Sequence, residues 1–293
     1  MTRATRSAWL LAARPRTLPA AVAPIVVGSA VARAEGGFVL SAAVAALLVA
    51  LCLQVAANLA NDLFDFQRGA DTGARLGPPR ATQSGAIAPR QMLLATLVVL
   101  LVAVVPGLYL VWRGGWLTLL FGLLAMLAAV AYTGGRAPLG YLGLGEITVF
   151  LFFGFVGVAG TAYVQTGALT ALALYASLPV GCLVTAILVI NNLRDLETDR
   201  DANKRTLAVR FGPHATKMEY LLLVAVAYLA LPLRWGTGHF SAWWLLPFLS
   251  VPLAIVLARQ VLTRRGAQLN HVLADTARLG LIFALLFAGS LVA

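Results

Sequence analysis

Long apolar runs separated by short polar segments make up most of the chain. A helix that crosses a bilayer needs about 20 mainly apolar residues, and nine stretches approach that length with hardly a charge inside them. They predict nine membrane-spanning helices at Leu18–Ala32, Phe38–Ala60, Met92–Trp112, Trp116–Thr133, Ile147–Gln165, Leu172–Ile190, Tyr220–Leu233, Trp243–Ala258 and Ala277–Ala293. Two connections, Asn61–Gln91 and Asn191–Glu219, are longer than the others, and long loops in compact proteins are usually functional.

The composition agrees with a membrane protein. Of the 293 residues, 60% are hydrophobic and 11% are charged, and the mean hydropathy is +0.87. These values lie outside the range of ordinary soluble domains. No linker or low-complexity tract interrupts the spans, so we expect a single all-α, polytopic domain over residues 1–293. Cys52 and Cys182 fall inside predicted spans, where neither a disulfide framework nor a zinc site is plausible.

The basic residues predict the orientation of the spans, because short loops rich in Lys and Arg stay cytoplasmic. With nine spans, every Lys and Arg except Arg33, Arg113 and Arg234 lies on one side. We therefore place the N-terminus and both long loops in the cytoplasm and the protein in the inner (plasma) membrane. The net charge of +11 reflects this topology and attraction to anionic lipid. We expect the lipid bilayer as a partner and no nucleic acid.

The same polar motif ends two of the predicted spans. Asn61-x-x-x-Asp65 follows the second span, and Asn191-x-x-x-Asp195 follows the sixth, 130 residues later. Four spans separate the copies, so both lie on the same membrane face. This repeat predicts two similar four-helix halves around a central cavity. Seven of the eleven acidic residues lie near the two motifs: Asp62, Asp65, Asp71, Asp195, Glu197, Asp199 and Asp201.

The residue types of the two clusters favour a site for magnesium and a diphosphate. On a helix, residues four apart share one face, so each cluster directs its oxygen atoms the same way. Mg²⁺ prefers such oxygens and commonly binds through one or two carboxylates together with substrate phosphates. Basic residues that follow the acids, such as Arg80 and Lys204, suit phosphate oxygens. Solvated ion pairs, or a transporter of a cation or organophosphate, are the competing interpretations. The acids lie at helix ends rather than at the midplane, which argues against transport.

The motifs resemble those of the UbiA superfamily of intramembrane prenyltransferases. The resemblance rests on Asn61-Asp62-x-x-Asp65 with Gly69 and Asp71, on Asn191-Asn192-x-Arg194-Asp195-x-x-x-Asp199, and on Lys204-Arg205-Thr206. It implies nine helices around a cavity, two magnesium ions and an isoprenyl diphosphate substrate. One departure concerns the third acid of the first motif. The superfamily places it four residues after the second, where this chain has Gly69, so that Asp71 is its substitute.

Further stretches resemble the branch of the superfamily that prenylates 1,4-dihydroxy-2-naphthoate in menaquinone synthesis. They are Trp9, Arg14-Pro15-Arg16-Thr17-Leu18-Pro19, Gly77-Pro78-Pro79-Arg80, Tyr132-Thr133-Gly134-Gly135, Pro138-Leu139-Gly140-Tyr141 and Gly143-Leu144-Gly145-Glu146. The implied reaction transfers a polyprenyl group from an allylic diphosphate to dihydroxynaphthoate with loss of carbon dioxide, giving demethylmenaquinone. Acceptors such as 4-hydroxybenzoate, homogentisate or a porphyrin-type ring are alternatives.

The resemblance also implies roles for individual residues. The expected metal ligands are Asn61, Asp65, Asp71, Asn191, Asp195 and Asp199, and the expected diphosphate-binding residues are Arg75, Arg80, Arg194, Lys204 and Arg205. Tyr132 and Arg136 have the spacing of a Tyr/basic pair beside the diphosphate; Tyr132 is equally consistent with an interfacial anchor. Asn58, inside an apolar helix, and Glu146, at the start of a span, are candidates for the cavity or the acceptor site.

Overall fold

The computed structural model describes residues 3–70, 76–232 and 241–293, with side chains from Ser7 onward. All regular structure in these ranges is helical, as predicted. The helices are α1 (Arg3–Ala13), α2 (Leu18–Ala34), α3 (Leu40–Gln67), α4 (Pro89–Ala131), α5 (Gly145–Val149), α6 (Gly160–Thr166), α7 (Ala171–Arg194), α8 (Leu196–Asp201), α9 (Leu207–Leu229), α10 (Val251–Thr263) and α11 (Leu269–Val292). A π-helical segment, Phe150–Ala159, joins α5 to α6, and a 3₁₀ segment, Ala242–Ser250, leads into α10.

Seven helical stretches among the described residues are long and apolar enough to cross a membrane. They are Ser7–Ala34, Leu40–Gln67, Pro89–Ala131, Gly145–Thr166, Ala171–Arg194, Ala242–Thr263 and Gly266–Val292. The protein is therefore a multi-pass membrane protein. The predicted count of nine spans is not confirmed, for two reasons that concern α4 and α9.

The third and fourth predicted spans both fall within α4, which has 43 residues. Gly115 has φ 68° and ψ −157°, so the helical geometry breaks where the sequence separates those two spans. An uninterrupted helix of this length would be about 65 Å long, twice the thickness of a bilayer core. The seventh predicted span corresponds to α9, which is not one of the seven stretches, and its predicted end at Leu233 lies outside the described residues.

The centre of the protein is α7, which packs against the π-helical segment, α9, α11 and α2. Its residues Val180, Leu183 and Ile190 are almost fully buried. Helices in lipid associate through close packing rather than hydrophobic burial, so small residues at crossings are important. At Gly28 of α2, a Cβ atom would lie 2.7 Å from Cβ of Thr161 in α6. Only glycine allows this approach between the two helices.

The helix ends that carry the two Asn/Asp motifs meet above a central cavity. The first motif lies in the last two turns of α3, and the second lies where α7 ends and α8 begins. The N-terminal break between α1 and α2 faces the same region, with Arg14 in a left-handed conformation (φ 51°, ψ 68°). Asn270, at the start of α11, also lines the cavity. Segments from across the whole chain therefore contribute to one site.

Candidate active site

A cavity of about 770 Å³ lies between α2, α3, α4, the π-helical segment, α7 and α11. Most of its wall is apolar, including Phe152 and Phe153 of the π-helical segment. One end is polar and adjoins a smaller pocket, which we call the polar pocket. The polar pocket is lined by Arg14, Asn61, Asp65, Ala70, Arg80, Asn191, Asp195, Thr198, Asp199 and Lys204. The two motifs, predicted to face each other, thus share one pocket at the end of an apolar cavity.

In the first motif, Asn61 and Asp65 share one guanidinium group. Nη2 of Arg80 donates to Oδ1 of Asn61 at 3.0 Å and to Oδ2 of Asp65 at 3.1 Å. The hydroxyl of Tyr141 donates to the other carboxylate oxygen of Asp65 at 2.8 Å. Asp65 and Arg80 are 3% and 4% exposed, so this ion pair is buried. The i, i+4 spacing predicted the shared face of Asn61 and Asp65, and the common partner confirms it.

Asp62, the acid between them in the sequence, faces a different way. Its two carboxylate oxygens accept hydrogen bonds from the backbone N–H groups of Ala81 and Thr82, each at 3.0 Å. Asp62 is 1% exposed and does not line the polar pocket. It therefore anchors the loop that carries Arg80.

In the second motif, Arg194 connects three side chains. Its guanidinium group forms two hydrogen bonds with the carboxylate of Asp195 and a third, from Nη2, with Oδ1 of Asn191 at 2.8 Å. Nη1 donates to Oδ1 of Asn270 at 3.0 Å, and Nδ2 of Asn270 donates to the carbonyl oxygen of Leu76 at 2.8 Å. The start of α11 is thus linked to both the second motif and the loop after the first.

Asp199 and Lys204 form the third ion pair of the polar pocket, with Nζ 3.4 Å from Oδ1. The pKa of Asp199 is raised to about 6, mainly by burial. Lys204 opposes this rise in the pKa, and Asp195 adds to it. Burial lowers the pKa of Lys204, but Asp65, Asp199 and Asp195 together outweigh that effect and raise it. Lys204 therefore stays charged at neutral pH.

The ring of Tyr141 lies between two cations. Nζ of Lys204 is 5.4 Å and the guanidinium carbon of Arg68 is 5.1 Å from its centroid. Arg68 is itself fixed by the backbone carbonyls of Thr133 and Gly135. Burial raises the pKa of Tyr141, and Asp65 raises it further. Tyr141 thus remains a hydrogen-bond donor to Asp65.

The cavity wall beside the polar pocket includes Tyr132, Asn58 and Asn192. Asn58 donates to the carbonyl oxygen of Ala13 at 2.9 Å and to Oγ1 of Thr17 at 3.1 Å, which fixes the break between α1 and α2. Asn58 thus lies in the cavity wall. Glu146 lies behind the wall and accepts a hydrogen bond from Nδ2 of Asn192 at 2.8 Å.

Two predicted contributors do not reach the pocket. Arg136 and Arg205 have exposed side chains and are absent from the walls of both cavities. The pair of Tyr132 and Arg136 is implied by the family resemblance; Tyr132 caps the end of α4 and lines the cavity, whereas Arg136 does not. Asp71 and Arg75 lie outside the described residues.

Arg14, Tyr141 and Asn270 are polar residues of the site that were not predicted for it. Arg14 and Tyr141 stand in stretches that carried the family resemblance, which was the only signal of their importance. Nothing in the sequence around Asn270 indicates a role, because its partners Arg194 and Leu76 are 76 and 194 residues away in the chain.

The oxygen atoms of the polar pocket fit Mg²⁺ only together with further ligands. No group of three or more His, Cys, Asp or Glu side chains in the described part of the chain could hold a metal ion by itself. The pocket adds amide oxygens from Asn61 and Asn191, and Oδ2 of Asp199 is buried without a hydrogen bond. Mg²⁺ prefers hard oxygen ligands and often completes its shell with substrate phosphates. The donor set therefore suits magnesium bound with a diphosphate.

Several known proteins are similar to this chain over nearly its whole length. The model of the UbiA prenyltransferase family matches residues 21–288. A 1,4-dihydroxy-2-naphthoate octaprenyltransferase from Mycobacterium tuberculosis is 40% identical over 285 residues, covering 97% of this chain and 96% of that protein. The enzyme of the same name from Escherichia coli is 37% identical over 289 residues, covering 96% and 93%.

Solved structures share the fold at low sequence identity. The apo structure of a UbiA homologue from Aeropyrum pernix K1 has a TM-score of 0.72 at 16% identity and covers 91% of this chain and 94% of its own. A UbiA homologue from Archaeoglobus fulgidus, bound to DMAPP and Mg²⁺, has a TM-score of 0.66 at 15% identity and covers 97% and 99%. From the family match, the full-length relatives and the common fold, we conclude that the chain belongs to the UbiA prenyltransferase family.

Proposed function

We propose that the protein transfers a polyprenyl group from an allylic diphosphate to 1,4-dihydroxy-2-naphthoate in a Mg²⁺-dependent reaction that releases diphosphate and carbon dioxide and gives demethylmenaquinol, the two-electron-reduced form of demethylmenaquinone. The observation that supports this most directly is the convergence of both Asn/Asp motifs on one polar pocket at the end of a large apolar cavity. Relatives at 37–40% identity over nearly the whole chain carry the name of this activity.

The diphosphate would bind in the polar pocket. Asp65, Asp195 and Asp199, with Asn61 and Asn191, would hold Mg²⁺, which when bound neutralises carboxylate and phosphate charge and stabilises the leaving diphosphate. Arg80, Arg194 and Lys204 now pair with those carboxylates. In the loaded site, these three cations would turn to the phosphate oxygens, where charge accumulates as the allylic C–O bond breaks.

The polyprenyl chain would occupy the apolar part of the cavity. Its wall there is built from aliphatic side chains, Phe152 and Phe153, and it excludes water from the reacting carbon. Tyr132 lies on the same wall, and its ring face could stabilise the positive charge that develops on the allylic group. The aromatic acceptor then attacks the allylic carbon, the diphosphate leaves with the electron pair of the broken bond, and the carboxylate departs as carbon dioxide.

The distribution of basic residues supports a cytoplasmic location of the polar pocket in the inner membrane. Arg80, Arg194 and Lys204 stand in the loops that the charge distribution places in the cytoplasm. Both substrate head groups would then enter from the cytosol. The polyprenyl chain would stay in an apolar environment throughout.

The proposal is tested with the full-length protein in detergent, a labelled polyprenyl diphosphate, Mg²⁺ and either dihydroxynaphthoate or 4-hydroxybenzoate. We expect a lipophilic product with dihydroxynaphthoate whose mass equals prenyl addition minus carbon dioxide. A product with 4-hydroxybenzoate alone would assign a different acceptor. Proteoliposomes that accumulate the unchanged diphosphate without forming product would instead favour transport.

A further inference from the structure

Glu146 and Asn192 form a buried polar pair that the proposed chemistry leaves without a role. Nδ2 of Asn192 donates to Oε1 of Glu146 at 2.8 Å, and the two residues are 3% and 6% exposed, Asn192 being the more buried. The second carboxylate oxygen, Oε2, is also buried and makes no hydrogen bond within the described residues. Both residues belong to membrane-spanning helical stretches. A buried pair of this kind in a membrane protein is costly and usually functional.

The pair fixes the direction in which Asn192 points. Asn192 lines the cavity, whereas Glu146 lies behind it and does not. Because Oε1 of Glu146 accepts from the NH₂ end of the amide, the carbonyl end of Asn192 points away from Glu146. No hydrogen bond to Oδ1 of Asn192 occurs in the part of the chain that the structure describes. The polar atom that this wall offers to the cavity is therefore a hydrogen-bond acceptor.

The position of Asn192 suits the aromatic substrate. It follows Asn191, which lines both the cavity and the polar pocket. Tyr132 belongs to the same stretch of wall, because a Cβ atom on Gly145, next to Glu146, would lie 2.9 Å from the Tyr132 hydroxyl. A group held by Asn192 would thus lie beside the place where the allylic carbon leaves the diphosphate.

The charges select the kind of group that binds there. A side-chain carbonyl oxygen carries partial negative charge and donates no hydrogen bond, so the carboxylate of an aromatic acid would be directed elsewhere. A phenolic hydroxyl is neutral and donates one hydrogen bond, which matches a carbonyl acceptor. A site built to bind a hydroxyl group discriminates strongly against analogues that lack it, since its polar atom would be left unpaired.

We propose that Asn192, oriented by Glu146, is a specificity-determining residue whose side-chain carbonyl accepts a hydrogen bond from a phenolic hydroxyl of the aromatic acceptor. Glu146 acts as a positioning residue behind it. This inference rests on the proposed function and specifies which part of the acceptor is recognised.

The test compares acceptor recognition with diphosphate recognition in full-length protein. The probes are dihydroxynaphthoate as substrate and two competitive analogues, 4-hydroxy-2-naphthoate and 2-naphthoate, which differ by one hydroxyl group that is not hydrogen-bonded to the carboxylate of the same molecule. We expect the wild type to bind the hydroxylated analogue at least about tenfold more tightly. Asn192→Leu should abolish that preference and raise KM for dihydroxynaphthoate about tenfold, while KM for the polyprenyl diphosphate changes less than about twofold.

The sharpest control is a double variant in which the acid and the amide of the pair exchange positions. Asn192→Asp alone places two carboxylates in contact and should lose most activity. Adding Glu146→Gln restores one donor and one acceptor, because the glutamine NH₂ group can donate to the new carboxylate at position 192 and leave its other oxygen facing the cavity. The double variant should therefore recover the hydroxyl preference. Thr185→Val on the same helix is the matched control, since Thr185 is buried but bonds only the carbonyl of Gly181 and does not line the cavity.

Several outcomes would overturn the inference. They are a wild type that binds both analogues equally, an Asn192→Leu variant that keeps the preference, and equal rises in both KM values. If Asn192→Leu does not fold, Glu146→Gln decides, because its amide can flip and should reduce the preference severalfold. Failure of the wild type to prenylate dihydroxynaphthoate would refute the proposed function instead, so the two failures are distinguishable.

Discussion

Replacement of Asp62 should separate a residue that positions the site from the residues that would bind metal. Asp62 stands in the first Asn/Asp motif, yet both of its oxygens accept backbone hydrogen bonds, from Ala81 and Thr82. Those amides directly follow Arg80, whose guanidinium group bridges Asn61 and Asp65. Asp62→Asn keeps the side-chain volume and one acceptor but turns an NH₂ group toward the second backbone N–H.

The expected magnitude follows from the two hydrogen bonds. A hydrogen bond to a charged group contributes about 1.5–3 kcal/mol, and a buried donor left unpaired costs a similar amount. Asp62→Asn loses one of the two, which lowers the equilibrium constant between docked and undocked loop by a factor of about 10–100. Asp62→Ala loses both, or about 3–6 kcal/mol. Because apparent affinity falls with the competent fraction, KM for the diphosphate should rise in Asp62→Asn, by up to about the same factor, and rise further in Asp62→Ala.

The assay is steady-state prenyl transfer with varied diphosphate at saturating Mg²⁺, repeated with varied Mg²⁺. Asp62→Asn should raise KM for the diphosphate and increase hydrogen exchange in residues 80–85, with the Mg²⁺ dependence unchanged. Asp201→Asn is the matched control, since Asp201 is an exposed acid near the second motif. Unchanged diphosphate KM, or a weakened response to Mg²⁺ like that of a ligand variant, would show that Asp62 does not act by anchoring the loop.

Three other changes test separate parts of the structure. Asp195→Ala should abolish Mg²⁺-dependent transfer, at least about 10³-fold, while the protein still inserts and elutes as a single species; near-normal turnover would contradict its role. Asn270→Leu removes the link between Arg194 and Leu76 and should lower kcat/KM for the diphosphate about tenfold, and an unchanged value would show that α11 only packs. Gly28→Val should destabilise the protein by about 2 kcal/mol or more in thermal unfolding, because its Cβ would collide with α6; an unaltered Tm would mean that α2 shifts freely.

The sequence was most informative where the membrane dominates the energetics. The predicted spans Leu18–Ala32 and Leu172–Ile190 agree with α2 and α7 to within a few residues, because apolar length alone decides which segments cross lipid. It was least informative for α9, which begins at Leu207 rather than at Tyr220. The added segment is interrupted by charged residues, and its helical geometry breaks at Gly212 (φ 80°, ψ 175°). It starts after Thr206, whose side chain accepts a hydrogen bond from the backbone N–H of Val209. Helix capping, not hydropathy, sets that boundary.

In the candidate site, too, relations within one helix were predictable and contacts between distant segments were not. Spacing within one helix correctly placed Asn61 with Asp65, because the i, i+4 relation is a local property. The pair of Tyr132 and Arg136 came from the family resemblance, and only Tyr132 lies in the cavity wall. Contacts between distant segments gave no local signal, as for Tyr141, which is 76 residues from Asp65. The sequence thus located most of the polar side chains of the pocket but not Tyr141 or Asn270, which form hydrogen bonds with Asp65 and Arg194.

The pairing of charges in the polar pocket explains why each motif contains or precedes a basic residue. Asp65, Asp195 and Asp199 each pair with a cation, so the pocket carries little net charge before substrate binds. A diphosphate alone would have to displace these carboxylates from their partners and leave them buried and unpaired, which is costly. A divalent cation alone would take the carboxylates from their partners and leave Arg80, Arg194 and Lys204 buried and unpaired. Metal and diphosphate together satisfy both sets of charges, so each should increase the affinity for the other. The ion pairs therefore predict coupled binding of metal and diphosphate, with carbon–oxygen bond cleavage confined to a site that holds both.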